Sequence, residues 1–207
     1  MSFGFAYVQR SIDAAVRLAL RDTQALSMFD MTADGFYHSF AAMIVGLPLY
    51  IGFLSGWHDM VISLAAAAGH PLDAAELEFG ARDFALSAIR YLLLWTVFPI
   101  AILFVLRFLN MTGRYSALVI AYNWSAIIVM LLFNVPLALF GLGVTSPFAT
   151  VALLFTIFGF ALYYRFFVAV AALQAGASTA MAVAVINVMI FFFIVIGIDS
   201  LGEILSA

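Results

Sequence analysis

The chain of 207 residues is 67% hydrophobic and 9% charged, with mean hydropathy +1.17 and a formal net charge of −3. Soluble domains carry about 25% charged residues, so a water-soluble fold is excluded. Cysteine is absent and all eight basic residues are arginine, which excludes disulfides, thiolate metal sites, thiol catalysis and a lysine-bearing phosphate loop, and leaves little basis for a polybasic nucleic-acid or lipid patch.

Residues 2–27 are too polar to cross a bilayer. Arg10, Asp13, Arg17, Arg21 and Gln24 recur at three- and four-residue steps and share one helical face, while Val8, Ile12, Ala15, Val16, Ala19 and Leu20 line another. This pattern predicts an amphipathic helix lying in the membrane interface, with Asp13 four residues ahead of Arg17 for an ion pair; a solvated cytoplasmic helix is the alternative. Asp13 and Asp22 inside the segment argue against a cleaved signal peptide. With Asp30 or Thr32 placed to cap the next helix, residues 1–34 form a cytoplasmic interfacial segment ahead of a transmembrane domain, 35–207.

A first span is expected over about 35–56, with Pro48 marking a kink that faces protein. An outer loop, 57–83, carries His58, Asp59, His70, Asp73, Glu76 and Glu78; Asp73 and Glu76 resemble a capping box, and 60–68 is apolar enough for a short surface helix. His58, Asp59, His70 and Asp73 are metal-ligand types, but their spacing matches no known site, so the loop reads as solvated acidic chain with no metal or cofactor.

Four more spans follow, at about 84–108, 115–140, 148–173 and 178–198, joined by tight turns that force antiparallel neighbours and followed by a short tail from Asp199. The third, 26 residues without a charge, exceeds the roughly 20 needed to cross about 30 Å of hydrocarbon, and it alone holds two amides, Asn123 and Asn134. The fold class is therefore all-α: a polytopic integral membrane bundle of five transmembrane helices plus an amphipathic interfacial helix. Arg10, Arg17 and Arg21 precede span one and Arg107 and Arg114 flank the turn after span two, which predicts an N-terminus in the cytoplasm and a C-terminus outside. A weak echo aligns Thr96-Val-Phe-Pro-Ile-Ala with Thr156-Ile-Phe-Gly-Phe-Ala; chance similarity of two Phe-rich helices explains it better than a parallel repeat.

Ionisable groups inside spans are costly and so are functional suspects. There are two, Arg90 and Arg165. Arg90 lies at a depth where Asp199 can pair with it. Arg165 lies near the level of Tyr122, Asn123, Tyr164 and Asn187, which predicts an intramembrane polar cluster that either holds the bundle together or lines a solute or proton path. No zinc-protease motif and no nucleophile elbow occurs, and no enzyme activity is expected.

The order Phe29-Asp30, Gly35-Phe36 and Ser39-Phe40 before a Pro-containing span, then Trp95 with Pro99, Arg114-Tyr115, Tyr122-Asn123-Trp124 and Tyr164-Arg165-Phe166, resembles a family of alphaproteobacterial inner-membrane proteins. The five-span, N-in layout is similar to that of the YIP family of membrane-trafficking proteins. The resemblance implies a bacterial inner-membrane protein with no catalytic residues to carry over. Two functions follow as expectations: an accessory, scaffold or membrane-organising protein whose partners are the lipid bilayer and another membrane complex or a second copy, with no nucleic acid; or a small-solute or ion transporter with a polar site at Arg165, Asn123 and Asn187.

Overall fold

The computed structural model describes residues 4–70, 72 and 80–205. Among these, helix α1 spans Phe5–Ala19, α2 Ala33–Ser39, α3 Ala41–Ala67, α4 Ala81–Phe108, α5 Tyr115–Gly141, α6 Pro147–Leu173 and α7 Ala177–Ile204. Short 3₁₀ turns occur at Thr23–Met28 and Thr112–Arg114. Five helical segments, including the near-continuous α2–α3, are long and apolar enough to cross a membrane. The expected five-span helical bundle is therefore the architecture.

Polar residues at the ends set the boundaries. Asp22 Oδ1 accepts from Gln24 N–H, and Asp30 Oδ1 accepts from both the N–H and the hydroxyl of Thr32, whose Oγ1 in turn caps α2 by accepting from Gly35 N–H at 3.1 Å. Both anticipated capping residues thus act, in series. These two donated bonds hold the Asp30 carboxyl below the usual aspartate range. Gly35 is obligatory here, because a Cβ would lie 1.9 Å from the Asp30 carbonyl oxygen. Asp83 accepts from Gly80 N–H at the start of α4, and Ser146 with Pro147 opens α6.

Two boundaries differ from expectation. Helix α3 runs on to Ala67, so 57–67 of the predicted outer loop is a continuation of the span: no breaker intervenes before Gly69, which takes φ +81, and Met60 is buried against Leu137 and Leu154. Likewise α7 continues through Asp199 to Ile204, leaving almost none of the expected tail. Pro48 sits on the exposed face of α3 rather than against protein, whereas Pro99 and Pro136 are buried. Asp73, Glu76 and Glu78, with the capping box they suggested, lie outside the described residues.

The bundle is built around α5. Every residue from Leu118 to Ser125 is buried, the signature of a helix covered on all sides. It packs against α1, α2, α3, α4 and α6, while α7 leans on α4 and α6. Asn134 pins α3 to α5 by donating to the Leu49 carbonyl at 3.0 Å. The matching threonines of the echo, Thr96 and Thr156, each bond the carbonyl one turn back, as threonine does in any apolar helix, so they add nothing to the repeat.

Helix α1 corrects the two-faced reading. It buries Tyr7, Ser11, Ala14, Ala15 and Leu18 against the bundle. At about 100° per residue this stripe stands roughly 120° from the apolar stripe of Val8, Ile12, Val16 and Leu20, and a similar angle from Arg10, Asp13 and Arg17; Arg21, expected on the same face, takes φ 69 beyond the end of the helix. The helix therefore has three faces. Small Ser11, Ala14 and Ala15 let it approach α5 and α6 closely, so the bundle takes the small-residue stripe, while Val16 and Leu20 remain exposed. Tyr7 meets the Trp124 ring edge-on at 5.7 Å and Ala15 accepts from Tyr164 at 2.6 Å. Those two contacts lie about two and a half turns, ~13 Å, from the same end of α5 and α6, so α1 runs across the bundle rather than along it. The expected Asp13–Arg17 ion pair forms at 3.3 Å.

The arginines gather at that end. Arg21 lies 4.9 Å from the Tyr163 ring centroid, Arg10 reaches the Ser27 carbonyl, and Arg114 donates to Gln174, which takes the left-handed conformation at the end of α6. Arg82 and Arg90 are at the other end with Asp59, Asp83 and Asp199.

Candidate ligand cavity between the spans

Between α3, α4, α5, α6 and α7 lies a cavity of about 240 Å³. Its walls are mainly aromatic and aliphatic. Tyr50, Tyr91 and Trp95 form a contiguous ladder with ring centroids 4.5 Å and 6.1 Å apart, and Phe98 stacks on Tyr122 at 4.7 Å. The tyrosine hydroxyls here are spent on backbone: Tyr50 donates to the Ser87 carbonyl, Tyr91 to Met43, and Tyr122 to Arg165. These bonds tie α3 to α4 and α5 to α6, and they leave ring surface rather than hydroxyls facing the space.

The polar wall is formed by residues expected from sequence. Tyr122, Asn123, Arg165 and Asn187 all line the cavity. Arg165 and Tyr122 clasp reciprocally: Arg165 Nη1 donates to the Tyr122 carbonyl at 2.7 Å and to Ser125 Oγ at 2.8 Å, the Tyr122 hydroxyl donates back at 2.9 Å, and Arg165 Cζ sits 4.9 Å from the Tyr122 ring centroid. Asn123 donates to Ser39 Oγ at 2.9 Å. Among the described residues Asn187 has no partner, Nε and Nη2 of Arg165 have none, and no carboxylate lines the cavity. A guanidinium stays protonated, so a net positive charge and several unused donors border an otherwise apolar space.

The fifth member of the expected cluster belongs elsewhere. Tyr164 is 1% exposed and bonds Ala15, so it holds α1 to the bundle and does not line the cavity. The reason is rotational: neighbouring helical residues point about 100° apart, and Arg165 already claims the inward direction. Sequence reasoning missed Ser39 and Ser125, fully buried residues whose hydroxyls accept from Asn123 and Arg165, and the aromatic ladder; Tyr50 and Tyr91, polar-tipped rings inside spans, were the available signal.

At the far end, Arg90 of α4 pairs with Asp199 of α7 as expected. His58 approaches Asp59 at 3.7 Å, and no group of metal-ligating residues occurs among the described residues; the Asp73 of the metal alternative lies outside them. No family model, no curated protein and no solved structure matches this chain.

Proposed function

We propose that this multi-pass membrane protein is a non-enzymatic carrier that binds a small solute in the cavity between its spans. The observation that supports it is the unneutralised Arg165 bordering a space large enough for a ligand. Burying a charge in a bundle is expensive, and a purely structural arginine gains most from a carboxylate partner, which Arg165 lacks among the described residues. The arginine cluster around α1, Arg107 and Arg114 supports an N-terminus in the cytoplasm, a C-terminus in the periplasm and a bacterial inner membrane as its home.

Uptake by proteoliposomes tests this. The wild-type protein should carry a solute that Ala126→Phe, which puts a ring into the cavity and leaves Arg165 itself unsubstituted, does not carry; equal flux through both would overturn the carrier reading. A second reading, an accessory or membrane-organising subunit in keeping with the YIP-like layout, draws on α1, on which Arg10, Arg17, Phe5, Val16 and Leu20 are exposed. Co-purification of a defined membrane partner, lost when Arg10 and Arg17 are replaced by glutamate, would favour it over the carrier.

A further inference from the structure

We propose that the occupant of the cavity is a monocarboxylate carried on a compact apolar body, its carboxylate gripped by Arg165 and Asn187. This deepens the carrier reading and rests on it. The argument begins with which guanidinium nitrogens are used. Both bonds to Tyr122 and Ser125 leave from Nη1, the nitrogen on the Cδ side of the group. With Nη1 used, the opposite edge, Nε with Nη2, is the pair of parallel N–H donors that stays intact, without a partner among the described residues. That fork matches the two oxygens of a carboxylate.

Asn187 extends the same polar wall from α7 with an amide that has no partner among the described residues, so it can give a third hydrogen bond. Charge sets the valence. One guanidinium with no acid beside it among the described residues balances a single negative charge, while a dianion such as a phosphate monoester would bury an uncompensated charge. Size sets the body. An apolar cavity of about 150 Å³ holds one benzene, so about 240 Å³ holds roughly ten heavy atoms. Tyr50, Tyr91, Trp95 and Phe98 give that body an aromatic wall, which takes an alkyl chain or a ring. A neutral alcohol of the same shape would accept from at most one arm of the fork and bring no charge, and an ammonium would accept from neither.

Trp95 in the wall reports occupancy by its fluorescence. The protein in phosphatidylcholine nanodiscs is titrated with octanoate, benzoate, octan-1-ol and octylamine, and the response of Ala126→Phe, which registers lipid partitioning alone, is subtracted. Octanoate or benzoate should bind at least about tenfold more tightly than octanol, with octylamine weakest. Asn187→Leu, which removes no bond among the described residues, should weaken the carboxylates several-fold and leave octanol unchanged. Octanoate above benzoate marks an acyl chain, the reverse an aromatic acid, and either order upholds the proposal. Octanol binding as tightly as octanoate overturns the carboxylate assignment while the cavity reading stands. No response to any probe beyond that of Ala126→Phe overturns both.

Discussion

Two arginines inside the spans are treated in opposite ways. Arg90, toward the end of the bundle where the acidic residues lie, is matched by Asp199 across the α4–α7 contact; Arg165, toward the α1 end, is held by a carbonyl, a hydroxyl and a tyrosine ring and meets no acid among the described residues. The first has its charge cancelled where it is created, although its Nε is buried without a hydrogen-bond partner among the described residues. The second leaves both a charge and an unused donor edge beside a cavity, and that contrast separates a fastening from a site. Mutation should separate them in the same way.

The largest effect belongs to Arg165. Arg165→Met removes two interhelical bonds, worth about 1–3 kcal/mol in a membrane bundle, and should abolish any preference for carboxylates. A thermal shift with selectivity unchanged would reduce Arg165 to a structural role. Tyr164→Phe should cost about 1 kcal/mol by freeing the Ala15 carbonyl, loosening α1 enough to raise its cleavage by protease while ligand binding stays at the wild-type level. Altered binding would mean that α1 and the cavity are coupled.

Arg90→Ala should matter less. Asp199 is 55% exposed on its side chain, so the pair is partly screened and worth about 0.5–1 kcal/mol; the double variant with Asp199→Ala should be no less stable than the single one, and carboxylate selectivity should persist in both. Smallest is Asp30. Its folded carboxyl titrates below the usual value, so its contribution is fully present above the unfolded aspartate value of about 3.9 and fades as pH falls through its own lower one. Asp30→Asn should flatten that acid limb in denaturation curves without altering the neutral-pH ligand response.

Much of this was legible in the sequence because bilayers demand long apolar runs, and because polar residues within them have few places to go. Five spans, the central third helix, the Arg90–Asp199 pair and four of the five cluster residues followed from depth alone. Rotation about the helix axis was not legible. Spans α3 to α7 are apolar nearly all round, so nothing in their pattern tells which side faces protein; Tyr164 was therefore grouped with Arg165 although the two point about 100° apart. The stripe by which α1 docks was hidden for a related reason, since Ser11, Ala14 and Ala15 are chosen for smallness rather than greasiness. The aromatic ladder escaped because Tyr50, Tyr91 and Trp95 come from two helices whose pairing depth does not specify.

The natural chain contains no cysteine, which makes one measurement decisive for a water-reachable, positively charged cavity. A single cysteine placed at Ala126 should react with a small anionic methanethiosulfonate markedly faster than with a cationic one, and octanoate should protect it. If Ala126→Cys is as inert as a cysteine at fully buried Ile120, or reacts with both reagents at the same rate, the cavity does not present the charge on which this account depends.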